Sequence, residues 1–470
     1  MQQLELLDIQ GLVRSGYEDY GEAAYLLFAI DQPHTARGWL AGLLAAGWIG
    51  SAAETIGFRM PADPAARQSA FIAFTRWGLN NLGLPRSAFG TFVSEFQEGM
   101  VAPHRSRLLG DVGDSAPERW YWGNRCTEDI LLIVYALNLD DLQDCINQIA
   151  RIPGYPRLVH RLNARYMTRE PFGFVDGLSQ PQIEGMFRDR APTGQRLIKA
   201  GEFLLGYRNE IDRLPASPSI APEDDQDNLL ARLDTSGRAD FGRNGSYLVL
   251  RQLEQDVARF QDFVGADRGR AARMVGRWQS GVPLVRYESD PQNNFPKDDN
   301  SFGYYREDRH GFRCPIGAHI RRANPRDSLA DGTGVTPERA REMADQHRIL
   351  RRGRVYEENG ETGLLFLCLN ANIERQFEFI QNSWVMHPEF GGLHEETDPL
   401  LGNARPGEVR AMTIQNPWLN ERVGGLRQFV TVKGGGYFFL PGLRAIQYLS
   451  QLGAGGGAQA GTGDGRSGGY

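Results

Sequence analysis

Short apolar runs, each bounded by Gly or Asp, occur in both halves of the chain and are separated by helical patterns and long loops. Tyr25–Ile30, Asp129–Tyr135, Tyr247–Leu250 and Gly363–Leu369 have the length and flanks of buried strands, and Asp8–Val13 is a further run of this kind. Arg37–Ala46, Asp140–Ala150, Asp256–Val264, Arg270–Trp278 and Ile373–Trp384 carry helical spacing. Phe429–Val432 and Tyr437–Leu440 flank Gly434-Gly435-Gly436, which predicts a hairpin. Strand and helix content in both halves predicts a mixed α+β chain of two related domains, although no sequence repeat links them. A length of 470 residues, at roughly 150 per domain, allows two large domains or three.

Composition removes several classes. With 41% hydrophobic and 23% charged residues the chain is globular, not disordered. A net charge of −6 disfavours nucleic acid as a general partner. The 4 cysteines, Cys126, Cys145, Cys314 and Cys368, lie too far apart for a disulfide framework or a Cys-rich zinc module and fit a reducing compartment. No apolar stretch approaches the roughly 20 residues of a membrane span. Met1–Asp8 lacks a basic start and a long apolar core. No membrane partner and a cytoplasmic address are therefore expected. From Gly453 onward 9 of 18 residues are Gly, so 451–470 is expected to be a disordered tail without an apolar docking motif.

Arg313–Arg354 is the most unusual segment. It holds ten Arg, no Lys and five acids. Arg in place of Lys favours planar, bidentate recognition of carboxylate or phosphate; the plain alternative is a solvated helix face with local ion pairs, as in Glu338–Glu342. His319 lies inside this segment. A lone His is more often structural than a ligand. No second His stands at metal-ligand spacing from it, so if it binds a metal, one that brings most of its own ligands, as haem does, suits it better than zinc. Phe172–Pro181 places Asp176 between glycines at the start of a loop running to about Asn228. It reads either as an Asx-type turn or as a carboxylate presented to a cavity by a backbone that needs Gly for close approach. P-loop, dinucleotide-binding, nucleophile-elbow and zinc-protease motifs do not occur.

In combination these segments resemble the dye-decolorizing peroxidase family, in its longer form. Gly173-Phe174-Val175-Asp176-Gly177, followed by Ser179-Gln180-Pro181, matches the family's Gly-x-x-Asp-Gly motif. Gly317–Arg326 is similar to the proximal-His segment and His347–Gly353 to the segment carrying the distal Arg. Gly363–Phe366 with Arg375–Gln381, Gly201–Tyr207, Gly245–Val249 and the glycine run before Phe438–Pro441 are also family-like. Order and joint presence, across most of residues 8 to 447, carry the likeness. At Arg354-Val355-Tyr356-Glu357 the chain departs from it, because the family usually has Pro before the aromatic and Gly after.

The resemblance implies an α+β fold of two ferredoxin-like domains with antiparallel sheets, 1–195 and 196–450, with haem b in the second. It implies His319 as axial ligand, with Asp176 and Arg351 on the opposite, distal face. Leu364 and Phe366 would wall the distal pocket. Asp398, or in competition Glu378, would accept the other ring N–H of His319. Arg321 and Arg322 would pair with the propionates. The implied activity is reduction of hydrogen peroxide and one-electron oxidation of dyes or other aromatic donors, at acidic pH if Asp176 keeps an ordinary carboxylate pKa near 4. Trp384, Tyr356 and Tyr437 are candidates to relay electrons from bulky donors, and a homo-oligomer is compatible with all of this. Two other readings are a haem carrier, which has no need of a distal acid and Arg, and a chlorite-cleaving haem enzyme, which uses a distal Arg without the Asp.

Overall fold

The computed structural model describes residues 3–53, 69–186, 196–233, 236–291, 299–332, 334–403 and 409–453. The tail expected to be disordered lies outside the described residues beyond Gly453.

The first half is a βαββαβ unit: β1 (Glu22–Ala29), α1 (Pro33–Ala45), β2 (Ser69–Phe74), β3 (Ile130–Ala136), α2 (Leu139–Ala150) and β4 (Arg157–Arg165). α2 begins where the Asn138 side chain accepts a hydrogen bond from the Asp141 N–H, and Asp140 and Asp141 sit in its positive first turn. The second half follows with β5 (Ser246–Gln255), α3 (Val257–Val264), α4 (Arg268–Val275), α5 (His319–Ala323), α6 (Pro337–Asp345), the two-residue β6 (Leu350–Arg351), β7 (Arg354–Glu358), β8 (Glu361–Asn370), the hairpin β9 (Arg410–Ile414) and β10 (Glu421–Leu426), β11 (Val430–Leu440) and α7 (Leu443–Gln451).

Within each half the sheet is antiparallel and ferredoxin-like, in the order β4-β1-β3-β2 and β7-β8-β5-β11. The halves join twice. Val355 on β7 pairs with Arg165 on β4, and Phe439 on β11 pairs with Phe74 on β2. Eight strands thereby connect into a ring, each seam made by a single residue pair. The first seam lies in the segment that departs from the family pattern. Val355, unlike a proline, offers the N–H that strand pairing uses.

Each strand alternates between two cores. Ala24, Leu26 and Phe28 of β1, with Ile130 and Leu132 of β3, pack with Trp39, Leu40 and Leu43 of α1 and Ile446 and Leu449 of α7. Tyr25 and Leu27, with Leu131 and Ile133, pack on the other face with Leu365, Leu367 and Leu369 of β8. Ferredoxin-like α+β architecture with antiparallel sheets agrees with the sequence expectation.

Three local expectations are corrected. Asp8–Val13 is not a strand: Gln10 makes one bridge to Ser51, and Gly11–Val13 is a single tight turn. The buried Gln10 amide accepts from the Ile72 N–H and donates to the Ile72 and Pro441 carbonyls, so this segment is held by a side chain in place of a ladder. The expected hairpin around Gly434–Gly436 is one continuous strand, β11, with a bulge between Val432 and Gly434. Glycine is there for close approach, not for a turn: a Cβ on Gly434 would stand 2.3 Å from the Trp122 indole nitrogen. Gly434→Ala is therefore expected to lower stability by about 1–3 kcal/mol, read as a fall in thermal unfolding temperature with the fold retained. Finally, the helix expected at Ile373–Trp384 is two widened π-type stretches, Glu374–Glu378 and Ile380–Val385. Backbone bonds run five residues back, Glu378 to Ile373 and Met386 to Gln381, both at 2.9 Å. The wide turns bury Gln376, Glu378 and Gln381, and each is hydrogen-bonded.

Candidate active site

His319 is the first residue of α5, and its half-buried imidazole leans on a buried acid. Nδ1–H donates to Asp398 Oδ2 at 2.9 Å. The other Asp398 oxygen accepts the N–H groups of Leu400 and Leu401, both at 2.9 Å. Burial works to raise this carboxyl, but the neighbouring imidazole and the backbone donors outweigh it and hold it below its usual range. Asp398 thus fixes the ring and leaves Nε2 as the donor atom. Glu378, the rival candidate, is elsewhere: it takes Arg105 Nη1 at 2.8 Å and the Tyr437 hydroxyl at 2.8 Å.

Asp176 follows β4 on a loop shaped by two left-handed glycines, Gly173 (φ +95) and Gly177 (φ +77). Glu170 stitches the loop together. Its carboxylate accepts from the Phe172 N–H at 2.9 Å, the Phe174 N–H at 2.8 Å and Gln255 Nε2 at 2.7 Å, which ties the loop to the end of β5. Asp176 itself stays exposed, with Oδ1 accepting the Gly177 N–H at 2.6 Å. Arg351 Nη1 lies 3.8 Å from that oxygen, and its Nη2 donates to the Leu178 carbonyl at 2.7 Å. The geometry brings the two sequence-selected distal residues together.

Strand register fixes what they face. Arg351 pairs with Cys368, and Leu364 pairs with Leu253. Paired residues share a face, and every second residue of a strand returns to it. Arg351, Cys368, Phe366, Leu364 and Leu253 therefore form one surface. Leu364 and Phe366 are half-buried, whereas Leu365 and Leu367 beneath them are 0% exposed. Leu253 and Ile320, the residue after His319, both pack against the cluster holding Phe172 and Phe174 of the Asp176 loop. The His319 helix, the Asp176 loop and the Arg351 strand thus converge on one apolar face.

This set of residues fits a haem. Leu253 packs against the core of β1 and α1 and the cluster of Phe172 and Phe174, Ile349 against that core and the cluster around Trp384, and Leu401 against the Phe172 and Trp384 clusters. All three stay half-buried, so separate cores meet at apolar side chains that are still accessible. Among the described residues no group of three or more His, Cys, Asp or Glu is placed to hold a metal ion, so a metal at His319 must bring its other ligands.

Two further sets of residues lie away from this face. Arg321 donates to the carbonyls of Asp308, Cys314 and Arg309, and Arg322 to those of Gly317, Trp384, His387 and Glu396. Both side chains are buried and hold the chain around α5 through these carbonyls. Trp384, Tyr356 and Tyr437 are 5%, 2% and 4% exposed and give a bulky donor no contact surface. Among the described residues the exposed aromatics are instead Trp77, Tyr121, Tyr166, Phe312 and Trp418, the last at the tip of the β9–β10 hairpin. No helix among the described residues is long and apolar enough to cross a membrane.

Residues 220–402 match the family model described as Dyp-type peroxidase, C-terminal. The chain is 29% identical over 428 residues to Peroxidase 2 of Mycetinis scorodonius, covering 80% of this chain and 75% of that one. It is 32% identical over 313 residues to the Multifunctional dye peroxidase DyP2 of an Amycolatopsis species, covering 60% and 61%. Its fold superposes on that of an ancestral D-type dye decolorizing peroxidase with a TM-score of 0.74 and 26% identity, over 95% of this chain and 99% of that one. Sequence and fold point the same way: residues 220–402 match a Dyp-type peroxidase C-terminal domain, and the chain is similar to dye-decolorizing peroxidases along most of its length.

Proposed function

We propose that this chain reduces hydrogen peroxide at a haem b and uses the oxidising equivalents on aromatic donors, with His319 as axial ligand and Asp176 and Arg351 as the distal pair. The observation that carries this reading is the 3.8 Å approach of Arg351 to Asp176 on the face that also gathers the His319 helix. Haem bound there supplies the iron at which the peroxide O–O bond breaks and from which one-electron oxidations follow.

The chain's own groups do the rest. Asp398 keeps Nδ1 of His319 as the protonated nitrogen and makes Nε2 a stronger donor. Asp176 Oδ1 is held by the Gly177 N–H, and Oδ2 takes the proton from one peroxide oxygen and returns it to the other. Arg351 supplies a fixed positive charge beside the departing oxygen. Leu364 and Phe366 wall this space and exclude water from it.

The test is direct. Haem-loaded protein is mixed with hydrogen peroxide and an anthraquinone dye across pH. Bleaching with a rapid change in the haem spectrum is expected; full haem occupancy with neither result would identify a carrier. Asp398→Asn is expected to lower haem affinity by about 10–100-fold and to raise the iron midpoint potential, because a neutral amide no longer pushes charge onto the imidazole. An unchanged potential would remove Asp398 from this role.

A further inference from the structure

Behind the loop that carries Asp176, four guanidiniums surround one small hollow. Arg196, Arg326, Arg341 and Arg348 line it, and among the described residues the acid in its walls is Asp345. The hollow measures about 20 Å³, room for one water-sized group.

The arginines are held in place mainly by neutral acceptors. Arg326 is 5% exposed, donates to the carbonyls of Asn300 at 2.7 Å and Phe302 at 3.1 Å, and lies 3.8 Å over the Phe302 ring. Arg341 donates to the Phe302 carbonyl at 3.3 Å, and Arg348 to the Ser179 carbonyl at 2.7 Å. Carbonyls satisfy hydrogen bonds without cancelling charge. The charge partner is Asp345, 3.2 Å from Arg196 and 3.8 Å from Arg348, with Glu210 at 4.0 Å from Arg196 on the rim. Other acids on α6 are engaged outward, Glu338 by Arg306 and Glu342 by Arg339. Positive charge is in excess at a buried place, where charges are ordinarily paired. Burial, with the repulsion of Arg341, Arg277 and Arg348, brings the Arg326 guanidinium down to about 9, which is the strain a bound anion would relieve.

We propose that this hollow binds one monovalent anion of halide or carboxylate chemistry between Arg326, Arg341 and Arg348. It admits a halide or one end of a carboxylate, but not a whole phosphate or sulfate. The occupant also braces the distal loop: Arg348 holds the Ser179 carbonyl while Arg351 holds that of Leu178. The site does not depend on the roles given to His319 and Asp176.

Bromide is the probe. Crystals of haem-loaded and haem-free protein are soaked in sodium bromide and read by anomalous diffraction. In solution, unfolding temperature is followed against bromide at constant ionic strength, balanced with sulfate. A peak within hydrogen-bond reach of Arg326 and Arg348 in both forms, with a saturable rise in unfolding temperature, assigns the site to a dissolved halide. A peak in haem-free protein alone, with carboxylate density at the same arginines in the loaded protein, assigns it to a carboxylate of the cofactor. Arg341→Gln is expected to weaken bromide binding about tenfold, and Asp345→Asn to tighten it by removing the competing anion. Opposite signs from these two variants are not produced by general loss of stability. No peak in either form and flat titrations in wild type and Asp345→Asn would overturn the proposal.

Discussion

His319→Ala is expected to purify without a normal Soret band and to bind added haem more than about 100-fold more weakly, since losing a ligand should exceed the 10–100-fold cost of losing its supporting partner. The fold should survive. His319 is half-exposed at the first position of a five-residue helix, and α5 is anchored by the arginines that follow, not by the imidazole. Removing the ring leaves Asp398 buried with two backbone donors still in place. Far-UV circular dichroism close to wild type together with lost haem absorbance is the expected pair of results. Normal haem content with an unaltered spectrum would show that iron is held elsewhere. Added imidazole should restore part of the absorbance by entering the space the side chain leaves.

Asp176→Asn and Arg351→Leu should act in the opposite way, keeping haem and losing the fast reaction with peroxide. Asn cannot accept the transferred proton, so the bimolecular rate with hydrogen peroxide is expected to fall about 10²–10⁴-fold. Leu removes the fixed charge, for a loss of about 10²–10³-fold. The two groups lie 3.8 Å apart and serve one event, so the double variant should lose less than the product of the single losses. Stopped-flow traces of the haem band measure all three. A rate in Asp176→Asn within a factor of a few of wild type would remove the carboxylate from proton transfer. Strict multiplicativity would show the two residues acting independently.

The site was legible mainly where residues close in sequence carry their own geometry. Gly173 and Gly177 mark a left-handed loop around Asp176 whatever the rest of the chain does. Strand runs such as Asp129–Tyr135 survive because the six consecutive apolar residues after Asp129 have few other places to go. What was not legible depended on partners distant in the chain. The Gly434–Gly436 run looks like a turn until Trp122, some three hundred residues earlier, lies across it. That Arg322 holds the carbonyls of Trp384 and Glu396 shows only once these are folded onto it. The choice between Asp398 and Glu378 turned on which acid a loop, and not a helix, delivers to His319. The π-type widening near Glu378 has no local signal, since it reflects the packing of Gln376 and Gln381 against other segments.

The double seam of the strand ring has a consequence for biosynthesis. Phe74 leaves the ribosome some 365 residues before Phe439, the residue of β11 that pairs with it. At ordinary translation speeds the nascent chain therefore carries an open, sticky β2 border for tens of seconds. Its yield in a cell should depend on chaperones that shield that border, and on elongation rate, more steeply than the stability of the finished enzyme suggests.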